Sequence, residues 1–390
     1  MKSIFSKILA KISLPFLAFA LAIFSGGILI AFSDRTVLPL IGSPWKFFTA
    51  AVHSAGNAYL ALFQGSIFDS NLAKNGSFLK GFYPLTESLL IAAPLILAGL
   101  SVALAFKAGL FNIGAQGQFI FGAIGASYIG FAYELPPILH VLLALITAMV
   151  FSALWGGFVG LLKAKTGAHE VIVTIMLNYV ASFFLLWLLK TKVFLRPRAI
   201  NPLAPPVHDS AKLPQFLGSD IRLNIGIFLA LIAAYFVWWI LNRSTWGFRF
   251  RAVGANAAAA RTAGISVAFV TTAVMSISGA LAGLGGAVQT LGSQFELTPD
   301  VAGSFGFDAI TVALLGRANP VGTVFAAILF GALRAGGLTM QANTQNPVDI
   351  VLVMQALIVL FISAPALVKY IFRLKGLKGG VSVASKGWNG

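Results

Sequence analysis

LPPILHVLLALITAMVFSALWGGFVGLL, the stretch from Leu135 to Leu162, contains no charged residue. Crossing the hydrocarbon core of a bilayer as a helix takes about 20 mostly apolar residues, since every backbone polar group must be satisfied within the segment. This stretch is long enough. So are Leu14–Phe32, Leu223–Leu241 and Ser266–Gln294, which are equally free of charge. The whole chain agrees: 390 residues, 58% hydrophobic and 10% charged, with mean hydropathy +0.90, where a soluble domain carries about a quarter charged residues. Ten apolar segments follow, at 12–32, 85–106, 109–131, 136–162, 170–189, 223–241, 266–291, 303–316, 320–339 and 348–368. The expected fold is all-α, a polytopic integral membrane protein of about ten transmembrane or re-entrant helices. The segment 303–316 is too short to cross alone and reads as re-entrant, a form tolerated where protein surrounds it.

The net charge of +16 does not point to nucleic acid, because the cations form no single stripe on a polar domain. They gather between apolar runs, where anionic headgroups and the positive-inside bias place them. With no cysteine, disulfides and thiolate metal sites are excluded. His53, His140, His169 and His208 make no i,i+4 pair, so no metal site is expected. Lys2, Lys7 and Lys11 precede Leu14–Phe32, which is longer than a signal h-region and reads as an uncleaved first span. An even count puts both termini in the cytoplasm. The loop 163–169, the loop 242–265 and the tail 369–390, with Lys369, Arg373, Lys375 and Lys378, then fall inside, as the charge rule asks. The Pro-rich outer loop 190–222 goes against that rule with six cations. In the other outer segment, 33–84, apolar residues from Trp45 to Phe63 recur near helical spacing, which fits an interfacial helix or a soluble lid.

Polar residues at depth carry the functional information, because each costs free energy unless paired or hydrated. In KAGLFNIGAQGQFIFGAIGA, Lys107–Ala126, the amides Asn112, Gln116 and Gln118 interrupt an apolar span among five glycines. Asn112 and Gln116 are i,i+4 and share a face if that span is helical throughout. Glycines permit a helix break, and broken helices with amides are how transporters meet a polar cargo at mid-membrane; helix-to-helix glue is the plainer use of the same residues. Asp308 falls within the short segment 303–316. The spacings Gly156…Gly160, Gly279…Gly283 and Gly27…Ala31 imply tight helix packing. In STWGFRFRAVGANAAAARTAGI, Ser244–Ile265, Asn256 is placed to cap a helix over Ala257–Ala263 that Gly264 ends. Such an alanine-rich helix is either a knob for another protein's groove or an ordinary connection. No phosphate loop, HExxH or GxSxG pattern occurs, so any ATP is bound by another polypeptide and no enzyme activity is expected.

These stretches resemble permease subunits of bacterial ABC importers, in the superfamily of ribose and branched-chain amino acid permeases. GLFNIGAQGQ at Gly109 is similar to the third-helix signature of its nucleoside and simple-sugar branch. HEVIVTIMLNY at His169, RAVGANAAAARTAGI at Arg251 and GFDAITVALLG at Gly306 resemble its next landmarks, in the family's order from about residue 85 to 370. His169 stands where the family commonly has Asn, and Ala255 and Ala257 depart from the usual acidic residue and proline of the coupling loop. The resemblance implies one permease domain over 1–390 in a bacterial inner membrane. Its partners would be a second permease subunit, cytoplasmic ATPases that bind the ATP, a periplasmic or lipid-anchored solute-binding protein and membrane lipids. Asn256, Ala260, Arg261 and Gly264 are then assigned to ATPase coupling. Phe111, Asn112, Gln116, Gln118 and Asp308 are assigned to a path for nucleosides or simple sugars. An ion-coupled transporter working alone and a non-transporting scaffold are the rival expectations.

Overall fold

A computed structural model describes residues 2–372 apart from 76, 219 and 345; the tail cations Arg373, Lys375 and Lys378 lie outside the described residues. In chain order the α-helices are α1 (Lys2–Ser33), α2 (Pro44–Ser66), α3 (Ser70–Asn75), α4 (Tyr83–Lys107), α5 (Ala115–Ala132), α6 (Pro137–Thr166), α7 (Glu170–Leu188), α8 (Gly226–Arg243), α9 (Thr245–Ala255), α10 (Ala257–Thr262), α11 (Val267–Gln289), α12 (Phe305–Leu315), α13 (Pro320–Thr344), α14 (Asp349–Ser363) and α15 (Pro365–Ile371). Among the described residues there is no strand, only an isolated bridge between Gln215 and Asn224. Six helical stretches are long and apolar enough to cross a membrane, and shorter apolar helices accompany them. The protein is an all-α, multi-pass membrane protein.

All ten apolar segments fall on helices, with two corrections. The segment 109–131 is helical only from Ala115, so Asn112 precedes the helix and shares no helical face with Gln116. The last segment is broken at Ala364, where Pro365 removes a backbone donor and restarts the chain as the first residue of α15. α12 has 11 residues, about 16 Å at helical rise, too short for a hydrocarbon core of about 30 Å. Arg317 and Ala318, both at positive φ (54° and 50°), then turn the chain sharply into α13.

The chain divides into two compact units, one of residues 1–88 with 330–390 and one of residues 89–329. In the first, α2 buries a stripe of small residues, Ser54, Ala58, Ala61 and Gly65. Tyr59 on this helix donates its hydroxyl to the Ile23 carbonyl of α1 at 2.5 Å. The backbone of Leu62 lies against Gly336 of α13 closely enough that a Cβ on Gly336 would overlap it. Trp45, Phe48, Val52 and Phe63 stay exposed, an apolar face that lipid or a partner would cover.

In the second unit α5, α6 and α11 form a seam of backbone-to-backbone contacts. A Cβ on Gly122 would overlap the backbone of Gly283, one on Gly279 the Ser152 carbonyl, and one on Gly156 the Met275 carbonyl. The Gly156…Gly160 and Gly279…Gly283 spacings therefore act as the sequence implies. Gly27 is looser, since a Cβ there would sit 3.6 Å or more from Tyr59 and Ala55. Most of α4 is buried, whereas α6 and α7 turn Ile138, Leu142, Leu154, Ile172, Val180 and Phe183 outward, as helices meeting lipid do. The loop 190–222 is ordered by the chain after α11: Ala204 N–H donates to Leu297, Val207 N–H to Phe295 and Leu213 N–H to Leu291. Arg196 pairs with Glu296 at 3.5 Å, and Lys212 stands over the Phe295 ring, so part of this loop's charge is locally compensated.

Candidate functional site at the broken helix

Between α4 and α5 the chain runs non-helically through residues 108–114. α4 is stopped by Gly109, at φ +71°, with Leu110 N–H reaching back to the Ala105 carbonyl at 3.0 Å, the glycine-terminated end that a left-handed residue permits. Asn112 then turns the chain by accepting the Gly114 N–H on its own Oδ1 at 3.0 Å. Such a break at depth leaves backbone groups that need partners. Asn178 of α7 supplies two, accepting from Gly117 N–H and donating to the Ile113 carbonyl, each at 2.9 Å.

Asn112 is fully buried, and Gln118 is 1% exposed. The Asn112 amide donates to Gln118 Oε1 and to Ser278 Oγ, both at 2.9 Å, while Gln118 Nε2 returns a bond to Asn112 Oδ1 at 3.2 Å. Ser278 in turn donates to the Ser101 carbonyl of α4 at 2.5 Å. Four residues from α4, α5, α11 and the break thus form one polar node in an apolar core. Ser101, Ser278 and Asn178 are not among the sequence candidates, although each is a buried polar residue in a largely apolar helix.

Gln116, 8% exposed, clamps the start of α12 together with the segment before it. Its Nε2 donates to the Gly303 carbonyl at 2.7 Å, and its Oε1 accepts the Gly306 N–H at 2.8 Å. Gly306 has to be glycine, since a Cβ would overlap the Gln116 backbone. Asp308, two residues further, accepts from Ser304 Oγ at 2.9 Å in the first turn of α12, where a carboxylate is favoured. Phe111 differs from the other candidates. Its ring is 47% exposed and packs against Phe106, while its N–H donates to Glu170 Oε1 at 3.5 Å. Glu170 is itself ion-paired with Lys163. Asn112 and Gln118 therefore meet, Gln116 meets Gly303 and Gly306 beside Asp308, and Phe111 faces outward.

The coupling candidates occupy one short helix. Ser244 caps α9 by accepting from Gly247 N–H at 3.1 Å. Asn256 breaks α9 from α10 at φ −163° and caps α10 by accepting from Ala259 N–H at 3.0 Å. Ala260 is buried and Arg261 exposed, and Gly264 at φ +80° ends the helix.

The other unit holds a different polar place. Asp34, Ser54, Asn57, Gln64, Asn343 and Thr344 line a crevice of about 290 Å³. Asp34 accepts from Ser54 Oγ at 2.6 Å and from the N–H and hydroxyl of Thr36 at 2.8 and 2.7 Å. Among the described residues no group of three or more metal-ligating side chains gathers.

A helical bundle with a glycine-broken span, a polar node at the break and a capped, partly exposed connecting helix defines a class, the polytopic membrane permease. The sequence carries the match further: residues 85–363 fit the family described as the branched-chain amino acid transport system / permease component, and the chain belongs to that family. It is similar to the guanosine ABC transporter permease protein NupP of Bacillus subtilis, 41% identical over 78% of this chain and 88% of that one. To the nucleoside ABC transporter permease protein NupB of Lactococcus lactis it is 34% identical, over 90% and 98% of the two chains. A second guanosine permease of B. subtilis, NupQ, is 30% identical over 63% of this chain and 78% of that one. The chain is the transmembrane permease subunit of an ABC importer, and no finding supports an ion-coupled transporter working alone.

Proposed function

We propose that this subunit carries nucleosides inward, in a bacterial inner membrane with both termini cytoplasmic, by alternating access powered by separate ATPases that bind the ATP. It would work beside a second permease subunit, as two guanosine permeases of one Bacillus suggest, and would receive solute from a periplasmic or lipid-anchored binding protein. On this reading the chain itself catalyses no reaction. The observation that carries the proposal is that the amide-bearing break and the capped α10 belong to the same compact unit, residues 89–329. Phe111, Asn112, Gln116, Gln118 and Asp308 would line the path. Hydroxyls and ring nitrogens of a nucleoside would take over bonds the amides now exchange with the protein, and Phe111 offers an aromatic face for a base. Asn256, Ala260, Arg261 and Gly264 would receive the ATPase's motion.

The saturation of Asn112 and Gln118 favours a second reading of those two residues, as a lock that fixes the break without touching solute. The tests separate the readings. In proteoliposomes holding the full complex, Arg261→Glu is expected to keep basal ATP hydrolysis and lose nucleoside uptake; normal uptake would remove α10 from the coupling role. Gln118→Glu is expected to change the ranking among labelled guanosine, adenosine and uridine if the amides meet solute. An equal loss for all three would assign the pair to the lock.

A further inference from the structure

α9, which leads into the coupling helix, meets the turn that leads to the amide node at a place where neither side has a side chain. Gly254, the last glycine of α9, lies against the turn that ends α4: a Cβ on it would stand 2.6 Å from the Ala108 carbonyl carbon, 2.8 Å from the Gly109 nitrogen and 2.9 Å from the Lys107 oxygen. The contact is reciprocal, since a Cβ on Gly109 would stand 2.9 Å from Gly254 Cα. Real Cβ atoms essentially never approach other atoms so closely, and here the neighbours are backbone, which cannot swing aside. Gly109 is bound to glycine a second time by its φ of +71°.

Both flanks of this contact are held. On one side Phe250 and Gly247 fix α9: Phe250 is fully buried, and a Cβ on Gly247 would overlap the Ile240 carbonyl. Asn256, two residues beyond Gly254, caps α10. On the other side, three residues beyond Gly109, Asn112 enters the node with Gln118, Ser101 and Ser278. Gln116, four residues further on, holds Gly303 and Gly306. From α10 to the segment before α12 the line is α9, the Gly254–Gly109 contact, Asn112, Gln116 and Gly303, with no long flexible side chain bearing the load at its first junction. A contact without side chains has no rotamers to absorb a displacement, so a shift of α9 has to be answered by the 107–110 backbone or by separation of the two segments.

We infer that Gly254 and Gly109 are positioning residues for transport: their backbone contact passes movement of the coupling element to the broken helix, and with it to the amides at depth. The inference rests on the coupling role assigned above to α10, and names the route by which that role reaches the path.

The test uses the complete complex, with its ATPases, second permease and binding protein, in proteoliposomes. Gly254→Ala is expected to preserve assembly and basal ATP hydrolysis, and to lower both solute-stimulated hydrolysis and nucleoside uptake by about tenfold, a coupling effect of the size single positions reach. Leu142→Ile, on the outward face of α6 and away from both elements, is expected to leave all three unchanged. Gly109→Asn, which keeps access to the left-handed conformation while adding bulk, is expected to give the Gly254→Ala phenotype. The double variant should be no worse than either single one, as for two halves of one contact. Wild-type stimulation and uptake in Gly254→Ala would overturn the inference. If Arg261→Glu uncouples while both glycine variants transport normally, the coupling helix stands and this route falls; if Arg261→Glu also transports normally, the coupling assignment itself is wrong. Hydrogen exchange on the unmodified complex decides the matter should a variant fail to assemble. Trapping the nucleotide-bound state is expected to change protection in 107–116 together with 245–262. A change confined to 245–262 would refute the relay.

Discussion

The polar node at the helix break and the polar crevice beside Asp34 are built from similar side chains and put to opposite uses. In the node, Asn112, Gln118, Ser101 and Ser278 are buried and bonded to one another. In the crevice, Asn57 bonds its neighbour His53, and no hydrogen bond to Asn343 is found among the described residues. A buried amide left without partners costs about 1–3 kcal/mol, so the node admits one arrangement and specifies it. Apart from the bonds that Ser54 and Thr36 give Asp34, the polar groups of the crevice can exchange their bonds with water at little cost. The lesson is that polar residues in a membrane protein act through how completely they are satisfied, not through their number.

Substitutions at the two places should differ accordingly. The largest effect is expected for Asn112→Leu, which strips Gln118, Ser278 and Gly114 of their partner at once. A loss of about 3 kcal/mol or more, read as a fall in the thermal unfolding midpoint in detergent, should accompany loss of uptake; an unchanged midpoint would mean that water fills the node. Next comes Gln116→Leu, which removes the bonds to Gly303 and Gly306 but leaves the node intact. About 2 kcal/mol and faster exchange of the Gly306 amide are expected, and exchange at the wild-type rate would break the clamp.

Asp34 gives a smaller effect with a definite sign. Partial burial raises its pKa, but the bonds from Ser54 and Thr36 outweigh burial and hold it below the ordinary 3.8. The unfolded chain therefore binds the proton more readily, so the carboxylate's stabilisation is fully present above pH 3.8 and fades as pH falls through the lower folded value. Asp34→Asn should lower the unfolding midpoint slightly at pH 7 and match wild type in strong acid. A difference that grows with acidity would reverse the sign. The smallest effect belongs to Asn343→Ala, expected within about 0.5 kcal/mol of wild type and with full uptake. Lost uptake there would make the crevice a functional site and undo the contrast.

The spans were legible because lipid imposes length and composition on each segment independently. Leu135–Leu162 announces α6 without reference to any neighbour, and Asn256 and Gly264 announce the ends of α10 because caps are local. The break at 108–114 was only half legible. Its glycines signalled an interruption, but the apolar run continues through Leu110, Phe111 and Ile113, so periodicity placed Asn112 on a helix it precedes. The partners of the amides were hidden for a different reason. Ser101 and Ser278 are far apart in sequence and individually unremarked, and only packing of α4 against α11 makes them one site. The Gly254–Gly109 contact lay further from view still, since a glycine's lack of a side chain has meaning only when something occupies the vacated space.

The seam of α5, α6 and α11 has a consequence for motion. Where Gly122 meets Gly283, and Gly279 meets Ser152, carbonyls and α-carbons touch with no pliable layer between them. Three rods so joined cannot slide a little past one another; they tilt together or part altogether. On the proposed transport cycle these three helices are expected to move as one unit, with the bending left to the segments that flank them.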